Sequence, residues 1–229
     1  DNSVIIKTIV TTELAAAISK AYGVEIMNVL TGFKFIGEKI KEYEDIGDAK
    51  RYMFGFEESY GYLVGNHARD KDGVVATMLI AEMAAYYKQK GISLYEAMED
   101  IYKKYGYFVE QTNAYTMPGK DGMERMANIL NNLRDNAPTT INGLEVIKTT
   151  DYLTQTISYK CGTEKPLEGL PKSNVLRYDL SDEKSYFIVR PSGTEPKIKV
   201  YYSIAEKSKE KAEERFNKIR EKIHGIITG

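Results

Sequence analysis

The sequence predicts two consecutive domains, an α/β domain with a largely parallel, helix-covered sheet over residues 1–110 and an α+β domain with an antiparallel sheet over 111–229. Three observations carry this reading. The 229 residues exceed the about 100 to 150 of one ordinary domain. Apolar strand segments and helical periods alternate through the first half, and after Asn136-Ala137-Pro138 the pattern turns to strands closed by one helix.

The elements follow in order. Val4 to Val10 is an apolar run that reads as a mostly buried strand, and Thr11 to Tyr22 is a helix with a threonine N-cap and Gly23 at its C-terminus. Val24 to Leu30 is the second strand, Thr31-Gly32-Phe33-Lys34 a turn, Phe35 to Tyr43 a helix and Arg51 to Phe56 the third strand. A Gly- and Tyr-rich loop follows. Gly73 to Lys90 is apolar nearly all round, which predicts a helix buried inside a domain, with Asp72 as its N-cap. Ser93-Leu94-Tyr95-Glu96 matches a capping box that opens a helix to about Tyr105. Tyr107 to Met117 is a strand or linker and Met123 to Leu133 a helix. Strands are predicted at Leu144 to Thr150, Val175 to Leu180, Ser185 to Arg190 and Ile198 to Ile204, and the closing helix Lys209 to Ile227 turns Ala212, Phe216, Ile219 and Ile223 to one face.

Composition narrows the function classes. Lys+Arg 32 against Asp+Glu 33 leaves a net charge of −1 and no basic block, which argues against a nucleic-acid partner. The one cysteine, Cys161, excludes an intrachain disulfide framework, and His67 and His224 are too few for a His-rich metal site. No apolar run approaches the roughly 18 to 20 residues of a membrane span, and no basic leader opens the chain. These features predict a soluble, cytoplasmic protein without a membrane partner. An opening without Met, directly on an apolar run, is the expectation for a domain cut from a longer polypeptide.

Three segments could carry chemistry. Arg190-Pro191-Ser192-Gly193-Thr194-Glu195-Pro196-Lys197 lies between two strands. Its planar guanidinium, hydroxyls and small residue suit a phosphate, while Pro, Ser and Gly equally suit an ordinary hairpin turn. Phe54 to Tyr62 runs from a strand end into a loop with Glu57, Glu58 and Ser59. Carboxylates with a hydroxyl at a strand's carboxyl end suit a polyol, and in an extended chain Glu57 and Ser59 share a face from which Glu58 turns away. Asn66 to Gly73 places His67, Arg69 and Lys71 before a helix N-terminus, where Lys71 is a candidate acid/base. The Asp70-Lys71-Asp72-Gly73 core lacks the third acidic ligand of a calcium loop, and Ala81 stands where its bidentate Glu would be. Lys7, inside an apolar strand, needs a partner, a cavity or a way out to solvent.

In this order, the Thr31-Gly32-Phe33-Lys34 loop, the Gly55-Phe56-Glu57-Glu58-Ser59-Tyr60-Gly61 loop, the Arg69-Asp70-Lys71-Asp72-Gly73 run and the Arg190-Pro191-Ser192-Gly193-Thr194 loop resemble the C-terminal half of the α-D-phosphohexomutases, the phosphoglucomutase and phosphomannomutase family. The resemblance spans almost the whole chain. It implies a mixed-sheet α/β third domain and a fourth, TATA-binding-protein-like α+β domain. It also implies interconversion of hexose 1-phosphate and 6-phosphate through a bisphosphate. By motif, Lys7 and Lys71 would be catalytic. Gly32, Phe33, Lys34, Glu57, Ser59, His67 and Arg69 would meet the sugar, and Arg190, Ser192, Gly193, Thr194 and Lys199 a phosphate. The Glu-Glu-Ser form looks closest to phosphoglucomutase-type members, although phosphopentomutases carry similar loops. The family's phosphoserine loop and Asp-x-Asp-x-Asp magnesium loop do not occur here. The resemblance therefore implies Mg2+ and glucose 1,6-bisphosphate as cofactors of the longer enzyme, no metal ligands in this chain, and the N-terminal domains of the same polypeptide as partner. A non-catalytic sugar-phosphate binding module and a purely structural domain pair are the alternatives.

Overall fold

The computed structural model describes residues 2–182, 184–193 and 195–229. It divides into two compact units, Asp1–Gly106 and Tyr107–Gly229.

The first unit runs β1 (Val4–Thr8), α1 (Leu14–Tyr22), β2 (Glu25–Val29), α2 (Phe33–Asp45), a 3-10 turn (Ala49–Arg51), β3 (Tyr52–Glu57), β4 (Gly61–Val64), α3 (Gly73–Gln89) and α4 (Leu94–Tyr105). Its sheet has the order β2-β1-β3-β4, with the first three strands parallel and β4 antiparallel to β3. Alternation sends Val4 and Ile6 of β1 to one face, where they pack with Val29, Ile36, Ile40, Tyr52 and Leu63. Gly55 makes that contact close. A β-carbon there would lie 2.7 Å from Ile36 Cγ2 and 2.6 Å from Tyr52 Oη, so only glycine lets α2 settle onto β3.

Four features of this unit differ from the sequence expectation. Helix α1 starts at Leu14 rather than Thr11, because the chain first turns back on itself, with the Thr11 amide donating to the Thr8 carbonyl. The hydroxyl that meets the helix start is that of Thr12, which accepts from the Leu14 amide at 3.1 Å. β4 occupies what reads as loop. The third difference is the largest: α3 has no buried residue, and Val74 is 81% and Ile80 52% exposed. The helix packs on β4 and α4 by a narrow strip, and nothing described covers the rest of its apolar circumference. The fourth is at α2, which begins at Phe33 rather than Phe35. By contrast the caps of α3 and α4 are as expected, although the threonine N-cap expected for α1 is replaced by Glu13 without a side-chain cap bond. Asp72 accepts from the amides of Val74 and Val75, and Ser93 with Glu96 forms a complete capping box on α4.

The second unit runs β5 (Tyr107–Thr116), α5 (Gly122–Asp135), β6 (Thr140–Ile141), β7 (Leu144–Asp151), β8 (Thr156–Tyr159), β9 (Glu164–Pro166), β10 (Leu176–Leu180), β11 (Tyr186–Pro191), β12 (Lys197–Glu206) and α6 (Lys209–Thr228). The sheet is antiparallel, in the order β5-β12-β11-β10-β7-β8-β9, with β6 paired to β7. Helices α5 and α6 cover one face. Leu130 and Leu133 from the first and Phe216, Ile219, Ile223 and Ile227 from the second meet Tyr178, Phe187, Val189, Ile198, Val200 and Tyr202. Tyr178 stacks on Phe187 with ring centroids 4.6 Å apart, and its hydroxyl donates to the Leu133 carbonyl at 2.9 Å. Burial pushes the ionisation of the Tyr178 and Tyr202 hydroxyls far up. No helix of the described residues is long and apolar enough to cross a membrane.

The two apolar helical environments have different consequences for truncation. Ile219→Ala empties a fully buried site and is expected to cost about 2 to 5 kcal/mol, whereas Ile80→Ala in this chain stays within about 0.5 kcal/mol. Urea midpoints of the two variants check the contrast, and equal losses would contradict it.

Candidate functional site

In the first unit the chemistry gathers at the carboxyl ends of β1, β2 and β3, where three loops leave the parallel strands. Lys7, next to last in β1, is wholly buried. Its ammonium donates to the Thr11 carbonyl at 2.8 Å and pairs with Glu13 at 3.4 Å. The tight turn after β1 brings the hydroxyls of Thr8 and Thr11 within 2.7 Å of each other, and both donate to one Glu58 oxygen, at 2.9 and 3.1 Å. Glu58 thus ties the β3–β4 turn to the β1 turn. It is the residue that sequence reasoning set aside, and its signal was the pair of threonines at the end of β1 and in the turn after it.

Glu57 faces the other way, as extended backbone requires. It is 7% exposed. Its Oε1 accepts from Ser59 at 2.9 Å and lies 3.8 Å from the Lys71 ammonium. The turn holds Tyr60 at φ 61, a left-handed conformation that is costly for a bulky residue and that concentrates at functional loops. Gly61 is the crossing point. A β-carbon on it would fall 2.6 Å from Lys71 Cδ and 2.8 Å from Glu57 Cγ, so glycine alone lets the two side chains pass.

The segment before α3 is pinned to α2. Gly37 admits the Arg69 carbonyl, which would lie 2.6 Å from a β-carbon there. The Arg69 guanidinium donates to the carbonyls of Asn66 and Ala68 and to Glu44. This clamp aims Lys71 back at Glu57, with its ammonium 5.8 Å from the centroid of the Phe33 ring. Phe33 itself belongs to the core under α2. Gly32 precedes it at φ 120, beside a Thr31 hydroxyl that is buried with no hydrogen-bond partner among the described residues.

Glu57, Ser59 and Lys71 therefore come together, with Lys7 held beneath the adjoining turn. The other sequence candidates point elsewhere. Lys34 is exposed with its ammonium 4.9 Å from the Phe35 ring centroid. His67 shares a 2.8 Å hydrogen bond with Asp72, and Arg69 is engaged by Glu44. Asp72 is held below the usual aspartate range, first by the His67 hydrogen bond and then by the Val75 and Val74 amides. Asp70 is lowered likewise by the Lys71 amide and ammonium.

In the second unit, the candidate phosphate segment is the turn of the β11–β12 hairpin, closed by the Ser192 amide donating to the Lys197 carbonyl at 2.7 Å. Turn and anion cradle are compatible here. Arg190 stands on the strand opposite Lys199. Its Cζ is 5.7 Å from the Tyr201 ring centroid, and its Nε is buried with no hydrogen-bond partner among the described residues. Lys197 is taken by Glu195 at 3.0 Å, which leaves Arg190 and Lys199 as the cations of the hairpin. A β-carbon on Gly193 would meet nothing within 4 Å, so the protein itself makes no demand for glycine there. Thr194 lies outside the described residues. No group of three His, Cys, Asp or Glu side chains able to hold a metal occurs among the described residues.

A mixed sheet with this loop set, followed by an antiparallel α+β unit with a basic hairpin, matches two family models. "Phosphoglucomutase/phosphomannomutase, alpha/beta/alpha domain III" covers residues 1–105, and "Phosphoglucomutase/phosphomannomutase, C-terminal domain" covers residues 167–222. The chain belongs to the phosphoglucomutase/phosphomannomutase family. Among curated relatives, a phosphoglucomutase of Staphylococcus saprophyticus is 38% identical over 87% of this chain and 36% of its own length. One of Staphylococcus haemolyticus is 32% identical over 100% of this chain and 40% of its own length. The chain thus spans well under half of the relatives it matches. The Paramecium phosphoglucomutase pp63/parafusin in its open form covers 99% of this chain and 37% of its own with a TM-score of 0.65 at 19% identity, a likeness of fold alone.

Two outcomes follow from the loop geometry. Glu58→Ala leaves the buried hydroxyls of Thr8 and Thr11 without their carboxylate, with an expected loss of about 1 to 3 kcal/mol. Denaturant unfolding together with faster amide exchange through 57–60 checks it, and unchanged exchange would contradict the tie. For Asp72 the folded-state pKa is lowered, so its contribution is full above the unfolded value of about 4 and lost as pH falls through the folded value. The gap in urea midpoint between the unaltered chain and Asp72→Asn is therefore expected to shrink as pH falls below about 4.

Proposed function

We propose that this chain is the sugar- and phosphate-holding part of a phosphoglucomutase-type phosphohexomutase, which interconverts hexose 1-phosphate and 6-phosphate through a bisphosphorylated sugar. The observation that carries the reading is the grouping of Glu57, Ser59 and Lys71 at the strand ends. The relatives named phosphoglucomutase support the glucose-type assignment over phosphomannomutase or phosphopentomutase specificity.

In this reading Glu57 accepts from sugar hydroxyls, and Ser59 can turn its hydroxyl from Glu57 to the sugar. Lys71, exposed on one side and backed by Glu57, offers both positive charge and an exchangeable proton to a phosphoryl oxygen. Lys7 adds fixed positive charge below the loop. The Arg190 guanidinium, whose Nε has no partner among the described residues, and Lys199 hold a phosphate that does not react. Phosphoryl transfer rests on positioning and charge neutralisation. The transferable phosphoryl and a magnesium ion, which would neutralise charge on it, belong to parts of the enzyme outside this sequence. The chain by itself is then inactive, and the whole enzyme works in the cytoplasm. The missing phosphoserine and aspartate loops equally suit a non-catalytic binding module, and a longer gene product containing both decides for the enzyme.

Calorimetric titration tests the site. Glucose 1-phosphate, glucose 6-phosphate and glucose 1,6-bisphosphate are expected to bind the complete polypeptide more tightly than inorganic phosphate does. Arg190→Glu and Glu57→Gln are each expected to weaken binding by about tenfold or more, the scale of one lost charged hydrogen bond. Affinities equal to that of inorganic phosphate, or unaltered by both substitutions, would overturn the reading.

A further inference from the structure

The apolar surface of α3 is anomalous for an outer helix. From Gly73 to Tyr87 its only charged residue is Glu82. Val74, Met78, Leu79, Ile80, Met83 and Tyr86 are all exposed, at 38% or more. These residues recur at three- and four-residue steps around the helix, so they form a wrapping apolar surface rather than isolated side chains. Leu94 and Tyr95, at the start of the neighbouring α4, are exposed as well. A helix apolar all round is a buried helix. The helix is well formed, with Asp72 capping it, so the exposure is not that of a frayed end.

The relatives say what is missing. The match takes in nearly all of this chain and 36% to 40% of theirs, and the two matching models are called domain III and C-terminal domain. What they possess beyond this sequence is the polypeptide ahead of domain III. We propose that the exposed face of α3, extended by Leu94 and Tyr95 of α4, is the docking surface for that preceding part of the same polypeptide. The near absence of charge fits permanent burial against an apolar partner surface, and fits neither nucleic acid nor a steered, transient encounter. The inference rests on the reading that this chain is the C-terminal part of a longer enzyme, and it names the surface by which that part is held.

Methionine oxidation reads this without altering the protein, because two of the docking residues are methionines. In the complete polypeptide, Met78 and Met83 are expected to be oxidised to sulfoxide by hydrogen peroxide about tenfold or more slower than the same residues in the urea-unfolded polypeptide. Met126, which is 3% exposed in the core of the second unit, supplies the protected reference. Rates for Met78 and Met83 within about twofold of the unfolded ones would overturn the proposal. So would protection that vanishes on dilution together with a dimer seen by sedimentation, which would assign the face to a second copy of the chain. Mutase activity of the same sample reports separately on the proposed function: an active enzyme with unprotected methionines rejects the docking surface alone.

Discussion

The burial of one ammonium group organises the carboxyl end of the first sheet. Lys7 sits in β1 between Asn28 of β2 and Phe56 of β3, with none of its surface open to water. An unpaired charge at such a position costs several kcal/mol, so the neighbouring chain must supply acceptors. It does so by folding back after Thr8, which brings the Thr11 carbonyl and the Glu13 carboxylate to the ammonium. That return delays α1 and lines up the Thr8 and Thr11 hydroxyls for Glu58. Glu58 fixes the β3–β4 turn, and the alternation of the chain then directs Glu57 toward Ser59 and Lys71. The position of the candidate site is in this sense a consequence of solvating Lys7 from within.

Much of the fold was legible because its signals are local. The Ser93 and Glu96 capping box, the Asp72 cap, Gly23 at the end of α1 and the apolar stripe of α6 each act within a few residues, and each is present in the structure. What was not legible depends on partners far away in sequence. β4 follows a turn with Tyr60, not glycine or asparagine, in the left-handed position, so the hairpin carries no turn signal. The β8–β9 hairpin has no buried residue and so no apolar alternation, as befits strands at the rim of a sheet. The same division runs through the site. The residue types at 57, 59, 71 and 190 were readable. That Gly61 is where Lys71 crosses Glu57, that Arg69 serves as the clamp, and that Glu58 is a tie were not, since each depends on a contact across loops.

Helices α2 and α3 of the same unit show that a helix can record in its sequence a neighbour that the sequence does not contain. In α2, Ile36, Gly37 and Ile40 form a buried stripe, while Glu38, Lys39, Lys41 and Glu42 take the remaining circumference and pair in part with one another. That pattern is complete within the unit, with one face for the sheet and one for water. α3 lacks the second half of the pattern. Its cap and its strong helix formers make the helix locally, and burial is the part its own domain does not provide. Consistency between local and global levels is the mark of a sequence selected to fold. A conflict centred on one well-capped helix and reaching the start of α4, beside an α2 that obeys the rule, locates the missing contact more sharply than the comparison of lengths does. The lengths show only that most of the relatives' chain is absent, whereas α3 shows where on this one it belongs.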